Sequence, residues 1–451
     1  MDNRVLWRAI LIIAGPFFPG FSVCSEEIET AEIIVTASRN APTAQPVRVV
    51  ATEEIVAPLL VVDILRGMPG LAVSRSGNRG ALTQVRLRGA EANHVLVLID
   101  GVQADDPATG SGFDFGTLTH AGVRAISIAS GPQDGLRGTD ALAGIIRVDT
   151  TPRIGQASVH VGLGTEQSVD AYADFARVNP LGHLRLTASR SASAGTNASF
   201  TGNENDPFDT RLININGRRT IGNVAFTATS RATRSEVDFD PSPFPNFVPV
   251  DGNRRSDNQN TLIGVSSQWM GSKSWSPIIQ LSSSRSNTTQ IADGIDIESS
   301  LGTRRALAVS NTFHIGSQQL SFRAAHQVES VSRRGPPTDF GDPNVDQTTR
   351  SSNIAAHYLY RWKKILTSAV IRYDHNSAFK NAATFAASAS LETGRTSWFS
   401  RFASGIKNPS FVERFGYTPD TFIGNPNLKP ESSNEFQVGA RHSLRFLDLS
   451  V

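Results

Sequence analysis

The stretch "RLININGRRTIGNVAFTATSRA" (211–232) has the pattern of two β-strands joined by a tight turn. On either side of "TIGN" (220–223), apolar residues alternate with Asn, Thr, Ser or Arg. Such alternation puts apolar side chains on one face of a strand and polar ones on the other. A strand of a membrane-spanning barrel needs about nine to eleven such residues, with one face toward lipid. The stretch therefore predicts a hairpin of a transmembrane β-barrel.

The same alternation recurs after Pro152, in "HLRLTASR" (183–190), "SPIIQLSSSR" (276–285), "QLSFRAAHQV" (319–328), "NIAAHYLYRW" (353–362) and "FQVGARHSLRF" (436–446). Short connections such as "NPLG" (179–182) alternate with long ones, namely 191–209, 234–259, about sixteen residues from Ser286, 330–351 and 405–433. Outer-membrane barrels have this arrangement of tight periplasmic turns and long outer loops, whereas soluble β-sandwiches do not. We therefore expect residues 153–451 to form a transmembrane antiparallel β-barrel that contacts outer-membrane lipid.

Composition excludes several other classes of function. The formal net charge of +2 gives no polybasic character, so nucleic acid is not an expected partner. The histidines lack the spacings of zinc sites, and no G-x-S-x-G nucleophile motif is present. We expect neither an enzyme nor a resident cofactor, with calcium in the outer loops as the one exception developed below.

The amino terminus predicts export. Arg4 and Arg8 precede the apolar run "AILIIAGPFF" (9–18), and "GFSVCSEE" (20–27) offers small residues for cleavage. This is the pattern of a secretory signal peptide, and we assign it to residues 1–25. Lipid attachment at Cys24, the single cysteine, is the alternative reading.

Residues 53–152 read as a compact α+β domain. "VVDILRGMPG" (61–70) has apolar residues at helical spacing and ends at a Pro-Gly pair. "TQVRLRG" (83–89), "HVLVLIDGV" (94–102), "VRAISIASGP" (123–132) and "GIIRVDTTP" (144–152) read as short strands closed by turns.

These segments, in this order, resemble the TonB-dependent outer-membrane receptors. The segment 61–107 resembles the first half of their plug domain, 130–152 the second half, and "GNPNLKPESSNEFQVG" (424–439) a late-barrel segment. Within the family, the plug and the early loops are most similar to the cobalamin-receptor branch. The resemblance implies an N-terminal plug inside a transmembrane β-barrel.

"EIIVTASR" (32–39) resembles the TonB box of this family. The resemblance implies that residues 26–52 form the box and its tether, and that the box comprises Glu32, Ile33, Ile34, Val35 and Thr36. An extended peptide of this kind can add a strand to a partner's sheet edge. The implied partner is TonB, with its inner-membrane energising complex. A first strand of the plug is the alternative reading.

The resemblance also implies roles for plug residues. Arg86 and Arg88 would form a latch to barrel glutamates, since a buried guanidinium needs a carboxylate partner. A second latch arginine is replaced by Ser130, and Arg124 or Arg137 are candidate substitutes. The apical plug loops would contact a small-molecule ligand, through Asn78, Arg79, Asp105, Asp106, Thr109 and Ser111.

Two acidic outer loops suggest a calcium site. "NENDPFD" (203–209) supplies Glu204, Asp206 and Asp209, and "VDFDP" (237–241) supplies Asp238 and Asp240. Ca²⁺ takes six to eight oxygen ligands in flexible geometry. In the cobalamin-receptor branch, calcium orders corresponding loops. Solvated acidic loops are the alternative.

The alternation gives about fifteen strands, whereas barrels of this family have 22. We therefore expect an incomplete barrel and a C-terminally truncated sequence, with an unusually small barrel as the alternative. The implied function is energy-coupled uptake of a scarce ligand, cobalamin first and a ferric siderophore second, at the outer membrane of a Gram-negative bacterium. A passive outer-membrane pore and a non-functional truncated remnant are the rival functions.

Overall fold

The structure is a computed structural model that describes residues 48–51, 60–110, 112–132, 140–200, 202–243, 245–337, 341–418, 422–443 and 448–450. The predicted signal peptide, the predicted TonB box (Glu32 to Thr36) and Ser111 lie outside the described residues. Among the described residues, no helix has the length and apolar character needed to cross a bilayer.

The plug is a small α+β unit built around a large apolar core, with a smaller apolar cluster formed by Leu96, Leu98, Ala141 and Ile145. Its elements are β1 (Arg48–Ala51), α1 (Val61–Arg66), β2 (Leu71–Arg75), β3 (Thr83–Leu87), β4 (Val95–Ile99), β5 (Val102–Gln103), β6 (Ala125–Ser130) and β7 (Gly144–Asp149). A five-stranded sheet has the order β1-β6-β7-β4-β5, and β2 pairs separately with β3. β4 and β7 are parallel. All five residues of β4 are buried, which explains the unbroken apolar run at 95–99.

Helix α1 packs Val61, Val62 and Leu65 into this core. The sequence predicted a helix that reaches the Pro69-Gly70 pair, but α1 ends at Arg66 with Gly67 as its C-cap. The α+β character of the predicted plug is confirmed.

Within the described residues, fifteen strands form a single antiparallel sheet that makes the barrel wall. They are β8 (Gln156–Leu163), β9 (Val169–Asn179), β10 (Gly182–Ser193), β11 (Phe208–Ile221), β12 (Val224–Phe239), β13 (Arg254–Trp269), β14 (Trp275–Ala292), β15 (Ile295–Ile315), β16 (Gln318–Arg334), β17 (Val345–Trp362), β18 (Ile365–Asn376), β19 (Ala382–Thr393), β20 (Thr396–Lys407), β23 (Glu431–Ser443) and β24 (Asp448–Ser450). This agrees with the predicted tally of about fifteen.

A long loop, 408–430, lies between β20 and β23, and the structure describes its residues 408–418 and 422–430. It carries helix α2 (Phe411–Phe415) and the short pair β21 (Tyr417–Thr418) and β22 (Phe422–Ile423).

The alternation of the sequence determines which face of the wall meets the plug. On β11, Leu212, Asn214 and Asn216 are buried, whereas Ile213 between them is 49% exposed. On β17, Ile354 is 62% exposed and the next residue, Ala355, is buried. Large apolar residues such as Ile213 and Ile354 therefore face outward, and the inner face carries polar residues such as Asn214 and Asn216 together with some apolar ones, as in a membrane barrel that encloses a plug.

The wall has two unlike ends. The short-turn end has the connections 180–181, 222–223, 270–274, 316–317, 363–364 and 394–395, and the long-loop end includes 194–207, 240–253, 335–344 and 408–430. Trp269 and Trp275, near the short-turn end, have ring centroids 5.1 Å apart. Aromatic residues at this level are typical of a membrane–water interface.

One predicted loop is wrong. The sequence predicted about sixteen loop residues from Ser286, but β14 and β15 run to 18 and 21 residues and meet in a turn at Asp293 and Gly294. Both turn residues have positive φ, 50° and 77°, as a two-residue hairpin of the Asp-Gly type requires. The hairpin extends because Ser, Thr and Asn continue the backbone pairing without any apolar alternation to reveal it.

Candidate functional site

Arg88 joins the plug to the barrel wall. Its Nη1 donates to Oε1 of Glu435 on β23 at 2.5 Å. Gln437 Nε2 donates to the same oxygen at 2.6 Å and so helps to orient the carboxylate. A Cβ placed on Gly131 would overlap Glu435 Oε2, so plug backbone also approaches this side chain closely. The structure thus brings Arg88 together with a barrel glutamate.

Arg86 does not share that contact. Its Nη1 donates to Ser74 Oγ at 2.7 Å, and its Nη2 to Gln84 Oε1 at 3.2 Å. Its Nε lies 3.7 Å from Oε2 of Glu91. All three partners belong to the plug, so the expectation that Arg86 joins the latch is corrected. The reason is local: β3 ends at Leu87, and Arg88 adopts φ +51°, so the strand alternation stops between the two arginines.

Asn78 binds loop 194–207 and Arg79 binds the wall, so neither side chain projects freely toward a ligand. Arg79 donates from both terminal nitrogens to the carboxylate of Asp170 on β9, at 2.9 and 2.8 Å. Thr196 Oγ1 donates to Asn78 Oδ1 at 3.2 Å, and Asn78 Nδ2 donates to the Thr196 carbonyl. A bidentate pair of this kind fixes both distance and orientation.

Nearer the short-turn end, Asp100 connects plug and barrel through one carboxylate. Its Oδ2 accepts from Asn216 Nδ2 at 3.0 Å and from Thr229 Oγ1 at 2.9 Å, both on the wall. Within the plug, Thr150 donates to it from Oγ1 at 2.5 Å and from its backbone N–H at 2.8 Å. Burial, together with the nearby charge of Asp149, raises the pKa of Asp100.

At the long-loop end, Arg304 of β15 connects the apical plug loop to the wall. It donates from Nη2 to Asp105 Oδ2 and from Nη1 to the Asp105 carbonyl, both at 2.9 Å. Its Nε donates to Glu329 Oε1 on β16 at 2.6 Å. The Arg304 side chain is only 6% exposed. Asp105 is therefore held in a buried ion cluster with two wall residues.

A second buried pair lies beside the first. Lys407, at the end of β20, donates to Asp140 Oδ1 at 3.0 Å. Lys407 is the largest source of positive charge near Asp140 and holds the pKa of that carboxyl below its usual value, although burial acts in the opposite direction.

These residues line a cavity of about 110 Å³ between the apical plug loop, the wall and loop 408–430. Asp106 lies on its plug side, and Oδ1 accepts from the Ala108 N–H at 2.8 Å. Burial raises the pKa of Asp106 to about 7. The wall approaches closely here, because a Cβ on Gly302 would overlap Asp106 Oδ1.

Loop 408–430 covers the plug apex through α2. A Cβ on Gly110 would lie 2.9 Å from Ser410 Oγ and 3.0 Å from Val412 Cβ, and Gly110 has φ +66°. Thr109 beside it is exposed and donates to the Asp106 carbonyl at 3.5 Å. Of the predicted ligand contacts, Asp106 and Asp105 therefore face the cavity, with Asp105 already paired.

The acidic loop residues do not group as predicted. Asp209 accepts from Arg190 and Arg211, and Asp238 from Arg255, so arginines already neutralise both carboxylates. Glu204, Asp240 and Asp251 instead bring one oxygen each within 4.8 Å of one another.

Asp240 is the most constrained member of that cluster. It is 8% exposed, and its Oδ1 accepts from the Gly252 N–H at 3.1 Å. Its Oδ2 is buried without a hydrogen-bond partner. Asp206 lies close by, since the charges of Asp240 and Asp251 contribute, after burial, to raising its pKa.

Comparison with known proteins decides the family. Residues 39–145 match the family model "TonB-dependent Receptor Plug Domain", and residues 156–451 match "TonB dependent receptor-like, beta-barrel". The second match alone covers more than half of the chain. The chain belongs to the TonB-dependent receptor family.

Two curated relatives are vitamin B12 transporters. The chain is 24% identical over 458 residues to the vitamin B12 transporter BtuB of Vibrio vulnificus strain YJ016, covering 95% of this chain and 70% of the relative. It is 24% identical over 454 residues to the BtuB of Photobacterium profundum, with 96% and 71% covered. The predicted nearness to the cobalamin branch is confirmed.

Solved structures share the fold. The siderophore receptor PirA from Acinetobacter baumannii superposes with a TM-score of 0.71 at 12% identity, covering 90% of this chain and 69% of that one. The copper transporter OprC superposes with a TM-score of 0.67 at 15% identity, covering 88% and 70%. Family membership and the BtuB relatives support energy-coupled ligand uptake as the function.

Proposed function

We propose that this TonB-dependent receptor takes up a scarce ligand at the outer membrane of a Gram-negative bacterium, with cobalamin as the first candidate ligand and a ferric siderophore as the second. The observation that carries the proposal is the cavity at the long-loop end, because its wall is shared between plug and barrel. A ligand bound there would contact the plug and the barrel at the same time. Long loops of outer-membrane barrels face outward, so the cavity would open toward the medium.

The plug–barrel contacts suit a plug that has to move. Arg79–Asp170, Arg88–Glu435 and the Asp100 cluster are polar, whereas the apolar core lies mainly within the plug, with Leu262 as its one described member from the wall. A displaced plug would exchange these contacts for water, and the net contribution of such hydrogen bonds is only about 0.5–3 kcal/mol each. The apolar contacts within the plug would persist during the movement, and, among the described core residues, only those to Leu262, Phe208 and Val237 of the wall would be lost.

TonB would supply the force through the predicted box. An extended segment from Glu32 to Thr36 would add a strand to the periplasmic domain of TonB through main-chain hydrogen bonds. TonB would then pull on the tether, and the plug would rearrange to open a path.

Ile34→Pro tests this step, because proline removes the backbone N–H that the added strand needs. We expect cells with Ile34→Pro to lose uptake of cyanocobalamin or ferric enterobactin while keeping surface binding of the same ligand. Ile34→Val keeps the N–H and serves as the control, with uptake near wild type. Unchanged uptake by Ile34→Pro, or uptake that persists without a proton-motive force, would favour a passive pore.

We also propose that calcium binds Glu204, Asp240 and Asp251 and joins loops 194–207 and 240–253. The unpartnered, buried Oδ2 of Asp240 supports this, since a buried carboxylate oxygen needs a partner. Bound calcium would neutralise the cluster and hold the two loops together.

Calorimetric titration of the purified receptor with CaCl₂ tests the site. We expect a dissociation constant on the order of 0.1–1 mM, as in other extracellular calcium sites, and its loss in Asp240→Asn. Asp293→Asn, which removes a carboxylate in the β14–β15 turn, is the matched control. Equal calcium binding by Asp240→Asn and wild type would refute the site.

A further inference from the structure

Arg414 is held beside the cavity by helix α2. The helix begins with a capping box, in which Ser410 Oγ accepts from the Glu413 N–H at 3.2 Å and Glu413 Oε2 accepts from the Ser410 N–H at 2.6 Å. Glu413 is therefore occupied at the helix start and is not the partner of Arg414. The Arg414 side chain is among those that line the cavity.

Two phenyl rings fix the position of the guanidinium. Its carbon lies 4.7 Å from the ring centroid of Phe379 and 4.6 Å from that of Phe415. Stacking on aromatic faces is favourable for arginine and restricts its rotamers. The charge is therefore presented at a defined place rather than on a freely moving chain.

The guanidinium has no counter-ion in the part of the chain that the structure describes. Its Nε is buried without a hydrogen-bond partner. The other cations that line the cavity are both paired, Arg304 with Asp105 and Glu329, and Lys407 with Asp140. Arg414 is therefore the one cation among the described residues of this cavity without an anionic partner. This is unusual, because a partially buried arginine normally has one.

The carboxylates that line the cavity restrict the kind of ligand that could supply the anionic partner of Arg414. A ligand with several negative charges would meet the carboxylates of Asp105, Glu329 and Asp140 on the same walls. A ligand without any negative charge would leave Arg414 unpaired and partly desolvated. One oxyanion on an otherwise uncharged molecule satisfies both constraints.

We propose that Arg414 is a ligand-binding residue that receives the single phosphate or carboxylate group of a cargo whose remaining surface is uncharged. Phe379 and Phe415 hold the guanidinium in place and offer apolar surface beside it. The inference rests on the proposed uptake function and adds that the cargo carries a single negatively charged group. Lipid headgroups are not the anion, because the cavity lies on the inner side of β16 and β17.

The first test compares two corrinoid probes on the purified full chain, by calorimetry in detergent. Cyanocobalamin carries one phosphodiester, and dicyanocobinamide lacks it. We expect Arg414→Gln to weaken cyanocobalamin binding at least tenfold and dicyanocobinamide binding less than twofold, with Arg414→Lys between wild type and Arg414→Gln. Lys380→Gln, an exposed cation beside Phe379, is the control and should change neither. Equal weakening of both probes, or none, would overturn the proposal.

A second test is independent of the cargo, so it separates this proposal from the proposed function. Phenylglyoxal modifies accessible arginines, and mass spectrometry follows the peptide that contains Arg414. We expect inorganic phosphate and benzoate, tested in separate arms, to slow modification of Arg414 at least threefold relative to chloride at equal ionic strength. The more protective anion identifies phosphate or carboxylate as the preferred group. Absence of protection by both anions would overturn the anion site even if uptake is energy-coupled. Tight binding of ferric enterobactin, which carries three negative charges, would overturn only the inference that the cargo carries a single negative charge.

Discussion

Replacing Arg304 tests whether the buried ion cluster holds the apical plug loop. Its guanidinium makes one contact to Glu329 at 2.6 Å and two to Asp105 at 2.9 Å, and the side chain is 6% exposed. In Arg304→Gln, Asp105 and Glu329 would lose the cation that pairs with both, and the nearby Lys407 is already paired with Asp140. Removing one member of a buried ion pair costs about 3–5 kcal/mol.

The two ends of the cluster are not equivalent. In Asp105→Asn, Arg304 keeps Glu329, and the amide oxygen still accepts a hydrogen bond, so we expect a cost of only about 1–2 kcal/mol. The double variant Arg304→Gln/Asp105→Asn should cost less than the sum of the single changes, because the unpaired charge of Asp105 is gone.

Hydrogen exchange, followed by mass spectrometry, measures the effect at the plug itself. The readout is the free energy of opening of the amides in peptide 95–104, which spans β4 and β5. A cost of about 3–5 kcal/mol corresponds to exchange that is faster by a factor on the order of a hundred or more. Arg305→Gln is the matched control, since Arg305 is the adjacent residue on the exposed face of β15. Equal exchange in Arg304→Gln and Arg305→Gln would refute the reasoning.

Two further predictions concern the apical loop. Burial raises the pKa of Asp106 from 3.8 to about 7, so Asp106 ionises first in the unfolded chain, and the folded protein loses stability as the pH rises from about 4 to 7. Asp106→Asn should therefore be more stable than wild type above about pH 7 and equal to it below about pH 4, in thermal unfolding scans. The full difference is on the order of 4 kcal/mol, at about 1.4 kcal/mol for each unit of pKa. A gain that is independent of pH would contradict this assignment. Gly110→Val should displace α2, because even a Cβ there would lie 2.9 Å from Ser410 Oγ, and we expect faster protease cleavage within loop 408–430; cleavage at the wild-type rate would show that the loop does not depend on this contact.

The alternation of apolar and polar residues was enough to predict the barrel strands and their number, because side chains of a membrane barrel obey a strict period of two. The alternation failed at the β14–β15 hairpin, because both faces of these strands are polar where they extend beyond the apolar band that faces the membrane. The signal that could have found that turn is Asp293-Gly294, a frequent two-residue hairpin pair.

The contact partner of a residue across the plug–barrel interface was less predictable than the strand face on which that residue lies. The period of two places Arg304 on the inner face of β15, but its partner Asp105 is 199 residues away, and no spacing rule joins them. Arg79 was predicted to meet the ligand because apical plug residues do so in the family, whereas here Asp170 is near enough to take both of its terminal nitrogens.

The acidic cluster shows the same limit. Asp238 and Asp209 lie beside arginines on paired strands, Arg255 and Arg190, and these cross-strand pairs neutralise them. Asp251 lies near the C-terminal end of loop 240–253, and it approaches Glu204 only because that loop folds back. Arg414 gave no signal in the sequence, since "FVERF" (411–415) reads as an ordinary short helix until Phe379 is placed beside it.

The most direct test of energy-coupled uptake is to follow radiolabelled cyanocobalamin, and separately ferric enterobactin, in otherwise identical cells with and without TonB, each carrying this chain as the only receptor. We expect at least one of the two ligands to accumulate in the cells with TonB and to be only bound at the surface in the cells without it. Accumulation at the same rate in both kinds of cell would contradict the account.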